Sequence, residues 1–167
     1  MVLGMTLQTF TLLHVAISLI GIGTGLIVVW GMLNGHRYDG RTAVFLVTTV
    51  LTSVTGFMFP APLSPLLPSH ITGIISLAVL LPTLVALYAF DLAGFWRWVY
   101  IAGALLALYL NVFVGVVQAF LKVSFLQPLA PTQAELPFLV AQIVVFVLFC
   151  ALGVIAVMRF RPEPVEA

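Results

Sequence analysis

The sequence predicts an all-α fold, a polytopic transmembrane helical bundle of about five spans, and three observations carry that reading. Long apolar runs recur, each close to the ~20 residues a helix needs to cross hydrocarbon. Of the 167 residues 63% are hydrophobic and only 7% charged, against about 25% charged in soluble domains, so a hydrated surface cannot be built. Turn-forming and charged residues collect between the runs, where a chain leaving lipid meets water. The mean hydropathy of +1.26 agrees. Length points to a single transmembrane domain, residues 1–167.

The runs cover 10–33, 42–59, 70–90, 98–121 and 136–158. The first follows a segment without Lys or Arg and has no small-residue cleavage site behind it, so it reads as a retained span rather than a removed leader. NGHRYDGR, from Asn34 to Arg41, separates it from the second. Before the third lies a proline-rich connection in which Pro65 and Pro68 have P-x-x-P spacing, read as a stiff loop. Ser69 is placed to cap the third helix, and Pro82 predicts a kink within it. DLAGFWR, from Asp91 to Arg97, precedes the fourth, with Asp91 and Arg97 expected as a helix-end polar pair. Ahead of the fifth, Thr132 and Glu135 have capping-box spacing, although Pro137 then falls in the first turns and moves the start later. Cys150, the only cysteine, excludes an intrachain disulfide and is expected as a small hydrophobe packed between helices.

Orientation follows from the positive charges. Arg37, Arg41, Arg97, Arg159 and Arg161 fall on the side that holds the first and third loops and the C-terminus, and Lys122 alone falls on the other. This distribution puts the N-terminus outside and the C-terminus in the cytoplasm of an inner (plasma) membrane. Trp30, Trp96 and Trp98 sit at the cytoplasmic helix ends, where amphipathic rings settle. A formal net charge of +1 with no Lys/Arg cluster argues against nucleic acid as a partner.

Helices in lipid associate through small residues and side-chain hydrogen bonds, so polar stripes mark inward faces. His14, Ser18, Gly21 and Gly25 share one side of the first span, and Gly21 with Gly25 forms a G-x-x-x-G. Thr48, Thr52 and Gly56 form a stripe in the second, beside Thr49 and Ser53, and Asn111, Gly115, Gln118 and Lys122 form one in the fourth. The predicted depths bring His14, His70, Gln118, Lys122 and Gln142 to the outer half of the bundle. Neutral imidazoles at His14 and His70 suit haem iron or another metal. Met58 is a candidate thioether ligand, and Lys122 a candidate partner for a haem propionate. The same donors suit a quinone carbonyl. Structural bridging by these histidines is an equal alternative, and Asn111 reads as an interhelical clamp or a ligand contact. His36 reads as a solvated turn residue. No H-E-x-x-H motif, Gly-rich phosphate loop or Ser-His-Asp set is present, which points away from an enzyme.

LPSHITGIISL from Leu67, followed by FWRWVYIAG from Phe95, resembles small bacterial multi-spanning membrane proteins linked to haem-copper oxidase assembly and to b-type cytochromes. The resemblance covers about two of the five spans and implies haem chemistry at His70. Together these readings describe an accessory or cofactor-binding protein of a membrane redox system, with haem b held by His14 and His70. Two alternatives remain open: a structural or assembly subunit that seeks partner helices or self-associates in the bilayer, and a protein that binds a quinone or another lipophilic ligand. A small-solute carrier ranks behind these because so little charge is embedded in the membrane.

Overall fold

Hydroxyls supply most of the polar content of the apolar runs, and in lipid each needs a partner within the chain. Ser18, Thr24, Thr48, Thr49, Thr55 and Thr83 donate to the carbonyls four residues earlier at 2.7–2.8 Å. The helix thereby satisfies its own polar side chains. The computed structural model describes residues 2–59 and 68–161. Five long helices follow in order: α1 (Leu7–Leu33), α2 (Asp39–Gly56), α3 (Pro68–Tyr88), α4 (Trp96–Lys122) and α5 (Leu136–Arg159), with one 3-10 turn at Gln127–Leu129. Among the described residues the only β feature is an isolated bridge, Val2 to Met5.

Local chemistry sets the helix ends. Thr6 caps α1 by accepting from the Thr9 amide at 3.2 Å, so α1 starts before the predicted residue 10. Its other end closes through Gly35 at φ +76, with His36 N–H donating to Gly31 O at 2.8 Å and Gly35 N–H to Met32 O at 3.2 Å. This left-handed glycine cap reverses the chain toward α2. Asp39 occupies the first turn of α2, where its charge suits the helix dipole, and extends α2 back from the predicted residue 42. The capping-box expectation is corrected: Glu135, not Thr132, is the residue before α5, and Pro137 lies in the first turn, where its missing N–H has no bond to lose. Pro82 lies inside α3 on an exposed face. The Ser69 side chain and Pro65 lie outside the described residues.

α1 packs with α2 and α3 with α4, as two antiparallel hairpins joined by α2 against α3. α4 is central, touching α1, α2, α3 and α5, while α5 leans on α4 and α1. The buried positions of α5 are Gln142, Phe149 and Ala156, a seven-residue seam typical of nearly parallel helix packing. Cys150, one residue off that seam, is exposed, which corrects the expectation that it packs between helices. Gly21 and Gly25 are used within the chain. A Cβ at Gly25 would lie 2.7 Å from Leu108 Cδ1 and 2.9 Å from the Phe45 ring, and one at Gly21 would lie 3.1 Å from Thr48 Oγ1.

Apolar side chains face outward as well as inward, unlike in a protein in water. Thr49 and Thr83 are fully buried, whereas Val144 is 60% exposed amid Leu139, Val140, Ile143, Val147 and Leu148, all exposed. Water would penalise that surface; lipid does not. Leu7–Leu33, His70–Tyr88, Trp96–Lys122 and Leu136–Arg159 are long and apolar enough to cross a membrane. α2, with Asp39, Arg41 and a run of hydroxyls, is less apolar and lies between α1 and α3.

At the end carrying the first and third loops, Arg37 pairs with both Asp39 and Asp91. Desolvation opposes the charge on its guanidinium, but the hydrogen bonds it donates to these two carboxylates, with their negative charge, outweigh it and raise its pKa. Asp91 therefore does not pair with Arg97, as the spacing predicted. Arg97 instead donates to the Phe160 carbonyl at 2.9 Å and lies over the Trp98 ring. The reason is tertiary: Asp91 and Leu92 adopt positive φ in the α3–α4 turn, and the carboxylate meets the first loop across the bundle end.

Candidate functional site

The opposite end of the bundle is organised around the last turn of α2 and the three residues after it. Gly73 admits the Phe57 ring against α3, since a Cβ there would lie 2.9 Å from Phe57 Cζ. One turn deeper, Ser53 donates to Ser76 at 3.0 Å and ties α2 to α3. α1 approaches the other side of α2. Residues early in α1 and in α3 thus flank the end of α2.

His14, half-buried on α1, places Nδ1 2.8 Å from Thr55 Oγ1. The single hydroxyl proton of Thr55 is directed at the Leu51 carbonyl, 2.7 Å away, so its oxygen accepts from His14. That pattern assigns the proton to Nδ1 and leaves a lone pair on Nε2, the arrangement a metal-ligating imidazole requires. The Phe59 ring meets the imidazole edge-on at 5.1 Å, and Phe10, fully buried, lies 5.0 Å from Phe59.

His70 stands near the start of α3 and is only 8% exposed. Phe57 stacks on it at 5.8 Å and 24°. Its Nε2 is buried without a hydrogen-bond partner. An unsatisfied buried ring nitrogen costs stability, on the order of 1–3 kcal/mol.

The remaining candidates divide. Met58 follows Phe57 at the same end and is half-buried, its N–H donating to Thr55 O at 3.1 Å. Asn111 donates to Thr49 Oγ1 at 3.2 Å and bridges α4 to α2. Gln142 donates through Nε2 to the Phe113 carbonyl at 3.2 Å, bridging α5 to α4, while its Oε1 stays buried and unpartnered. Gln118 and Lys122 are exposed at the end of α4. His14 and His70 thus flank the end of α2 from α1 and from α3, Met58 follows it in the chain, Asn111 and Gln142 bridge helices, and Gln118 and Lys122 turn outward.

Sequence reasoning missed Thr55, Phe57 and Phe59. One available clue was symmetry: in an antiparallel α1–α2 hairpin a residue early in α1 faces one late in α2, which pairs His14 with Thr55. Thr52 Oγ1, also buried without a partner, belongs to the same region. Among the described residues no three of His, Cys, Asp and Glu come together to hold a metal ion. Each imidazole meets a phenylalanine ring, His14 the edge-on Phe59 and His70 the stacked Phe57.

Fold and polarity together define an all-α membrane protein with helices able to cross a bilayer. No protein-family model, curated protein or solved structure matches the chain.

Proposed function

We propose that the chain is a five-span, multi-pass protein of a bacterial-type inner (plasma) membrane, N-terminus outside, which binds haem b as an accessory component of a membrane redox system. The observation that carries this reading is the pair of imidazoles flanking the end of α2: one oriented by Thr55 to keep Nε2 basic, the other with Nε2 buried and unpartnered. If haem binds, His14 and His70 would hold its iron, and the haem would supply the redox chemistry. That fits a site with histidines but no third ligand beside them among the described residues. Phe57 and Phe59 supply apolar ring surface for a macrocycle. The sheltered place of α2 between α1 and α3 supports a fifth span despite its hydroxyls. The assembly-subunit alternative leaned on the glycine stripe of α1, which is occupied inside the chain.

One observation favours a quinone as the second reading. Among the described residues His70 Nε2 is the one buried side-chain nitrogen without a partner, and a quinone carbonyl needs a single N–H donor.

The visible spectrum of protein solubilised from its native membrane separates the two. A Soret band that disappears in His14→Ala and in His70→Ala supports haem ligation. Protein that stays colourless after haem reconstitution sinks it, and retention of quinone by that colourless protein, lost in His70→Ala, supports the second reading. Reporter fusions within Asn34–Arg41 check the orientation, with activity expected in the cytoplasm and an external signal overturning it.

A further inference from the structure

A second site lies at the far end of the bundle, where α1 and α5 finish side by side. A cleft of about 360 Å³ opens there between Trp30, Leu33, Asn34, Ile155, Met158 and Arg159. Its walls are unlike the imidazole region. Trp30 is 65% and Met158 67% exposed, giving the cleft an apolar floor that faces outward. Its rim is polar. Arg159 donates one N–H to the Leu33 carbonyl at 3.3 Å, and no carboxylate among the described residues pairs with it. A guanidinium has five N–H donors, so most remain free for an acceptor. Asn34 turns its amide onto Trp30 O at 2.7 Å and leaves its side-chain oxygen at the rim. Arg161, exposed two residues on, adds a second positive charge.

We infer that this cleft binds an anionic phospholipid, its phosphate on Arg159 and its acyl chain along the apolar groove between α1 and α5. Three features choose a lipid over other occupants. The cleft is at a helix end that carries Trp, the level where headgroups meet hydrocarbon. Its apolar floor runs directly into the exposed flank of α5, where Ile155 continues to Val154 and Leu148. Its unpaired arginine complements a phosphate, and basic clefts between membrane helices recognise anionic headgroups. The inference rests on the membrane reading but not on haem binding or on which terminus faces the cytoplasm.

The test uses the full-length Trp96→Phe, Trp98→Phe protein in nanodiscs, so that Trp30 is the sole indole, and reads its quenching by brominated lipids. Brominated phosphatidylglycerol should quench Trp30 more effectively than brominated phosphatidylcholine, by about fivefold in lipid mole fraction, the worth of one arginine near a headgroup. Arg159→Gln should abolish the preference and Arg159→Lys should retain most of it. Equal quenching by the two lipids, or a preference untouched by Arg159→Gln, overturns the inference. So does loss of the preference on adding inorganic phosphate, which would assign the cleft to a free anion. Absence of quenching by either lipid also overturns it, since no acyl chain then reaches Trp30; failure of the protein to enter nanodiscs at all would instead fail the membrane reading, a distinct result.

Discussion

The two ends of the bundle treat their polar groups in opposite ways. At the end holding the first and third loops, Arg37 joins Asp39 and Asp91, Arg97 reaches Phe160 O, and Arg159 reaches Leu33 O, so charges stitch separate segments together. At the other end Thr52 Oγ1, His70 Nε2 and Gln142 Oε1 are buried without partners. All three lie within about two helical turns of that end. Satisfied polar networks fix a structure, and unsatisfied buried ones weaken it unless something else completes them. The contrast separates an end where charged side chains tie segments together from an end where buried polar atoms are left over.

The largest effect that would sharpen the comparison is at the stitched end. Arg37 is mostly covered, at 18% side-chain exposure, yet its carboxylate partners are 64% and 51% exposed and therefore screened. Arg37→Ala is expected to cost about 1–2 kcal/mol, read as a lower thermal midpoint in detergent and a smaller loss at high salt. An unchanged midpoint would mean that the triad is ornamental and the contrast false.

His70→Leu probes the other end with the opposite sign. Removing a buried, unpartnered nitrogen while keeping volume is expected to raise stability by about 1 kcal/mol and to abolish ligand binding. A protein that gains stability and loses its ligand shows a site held against the preference of the fold. Destabilisation in ligand-free protein would show that His70 is a structural group and break the comparison.

The smallest effect concerns pH. Glu135 sits beside the imidazole end, outside α5; slight desolvation pushes its pKa up, but the Thr132 hydroxyl and the amides of Thr132 and Ala134 donate to it and bring the pKa below its ordinary value. A depressed folded pKa means that the stabilisation is present above the ordinary carboxylate pKa and is lost as pH falls through the lowered one. Protection of the Thr132 and Ala134 amides, measured against their intrinsic exchange rate at each pH, should fall in that acid window. In Glu135→Gln the protection should be lower at neutral pH and show no such acid step.

Much of the fold was legible because it depends on local composition. Apolar runs placed all five helices, and the His14–Ser18–Gly21–Gly25 stripe marked the face of α1 that α2 and α4 cover. Helix ends moved by a few residues, at Thr6 and Asp39, because caps reach beyond the apolar run. The candidate site was legible only in part. Residue type and depth put His14 and His70 at one end of the bundle, but did not show the Thr55 bond to His14 or the Phe57 stack on His70. Asp91 was assigned to Arg97 by proximity in sequence, whereas its partner, Arg37, lies two helices away along the chain.

By itself the sequence determined the solvent this protein is made for and the helical form it takes there, since hydropathy and run length act residue by residue and need no knowledge of neighbours. Tertiary structure alone decided which polar groups meet and which are left over. Helix rotation and register, fixed by side chains such as Gly25 against Phe45 and Gly73 against Phe57, set those partners. Such distances arise only when separate segments pack.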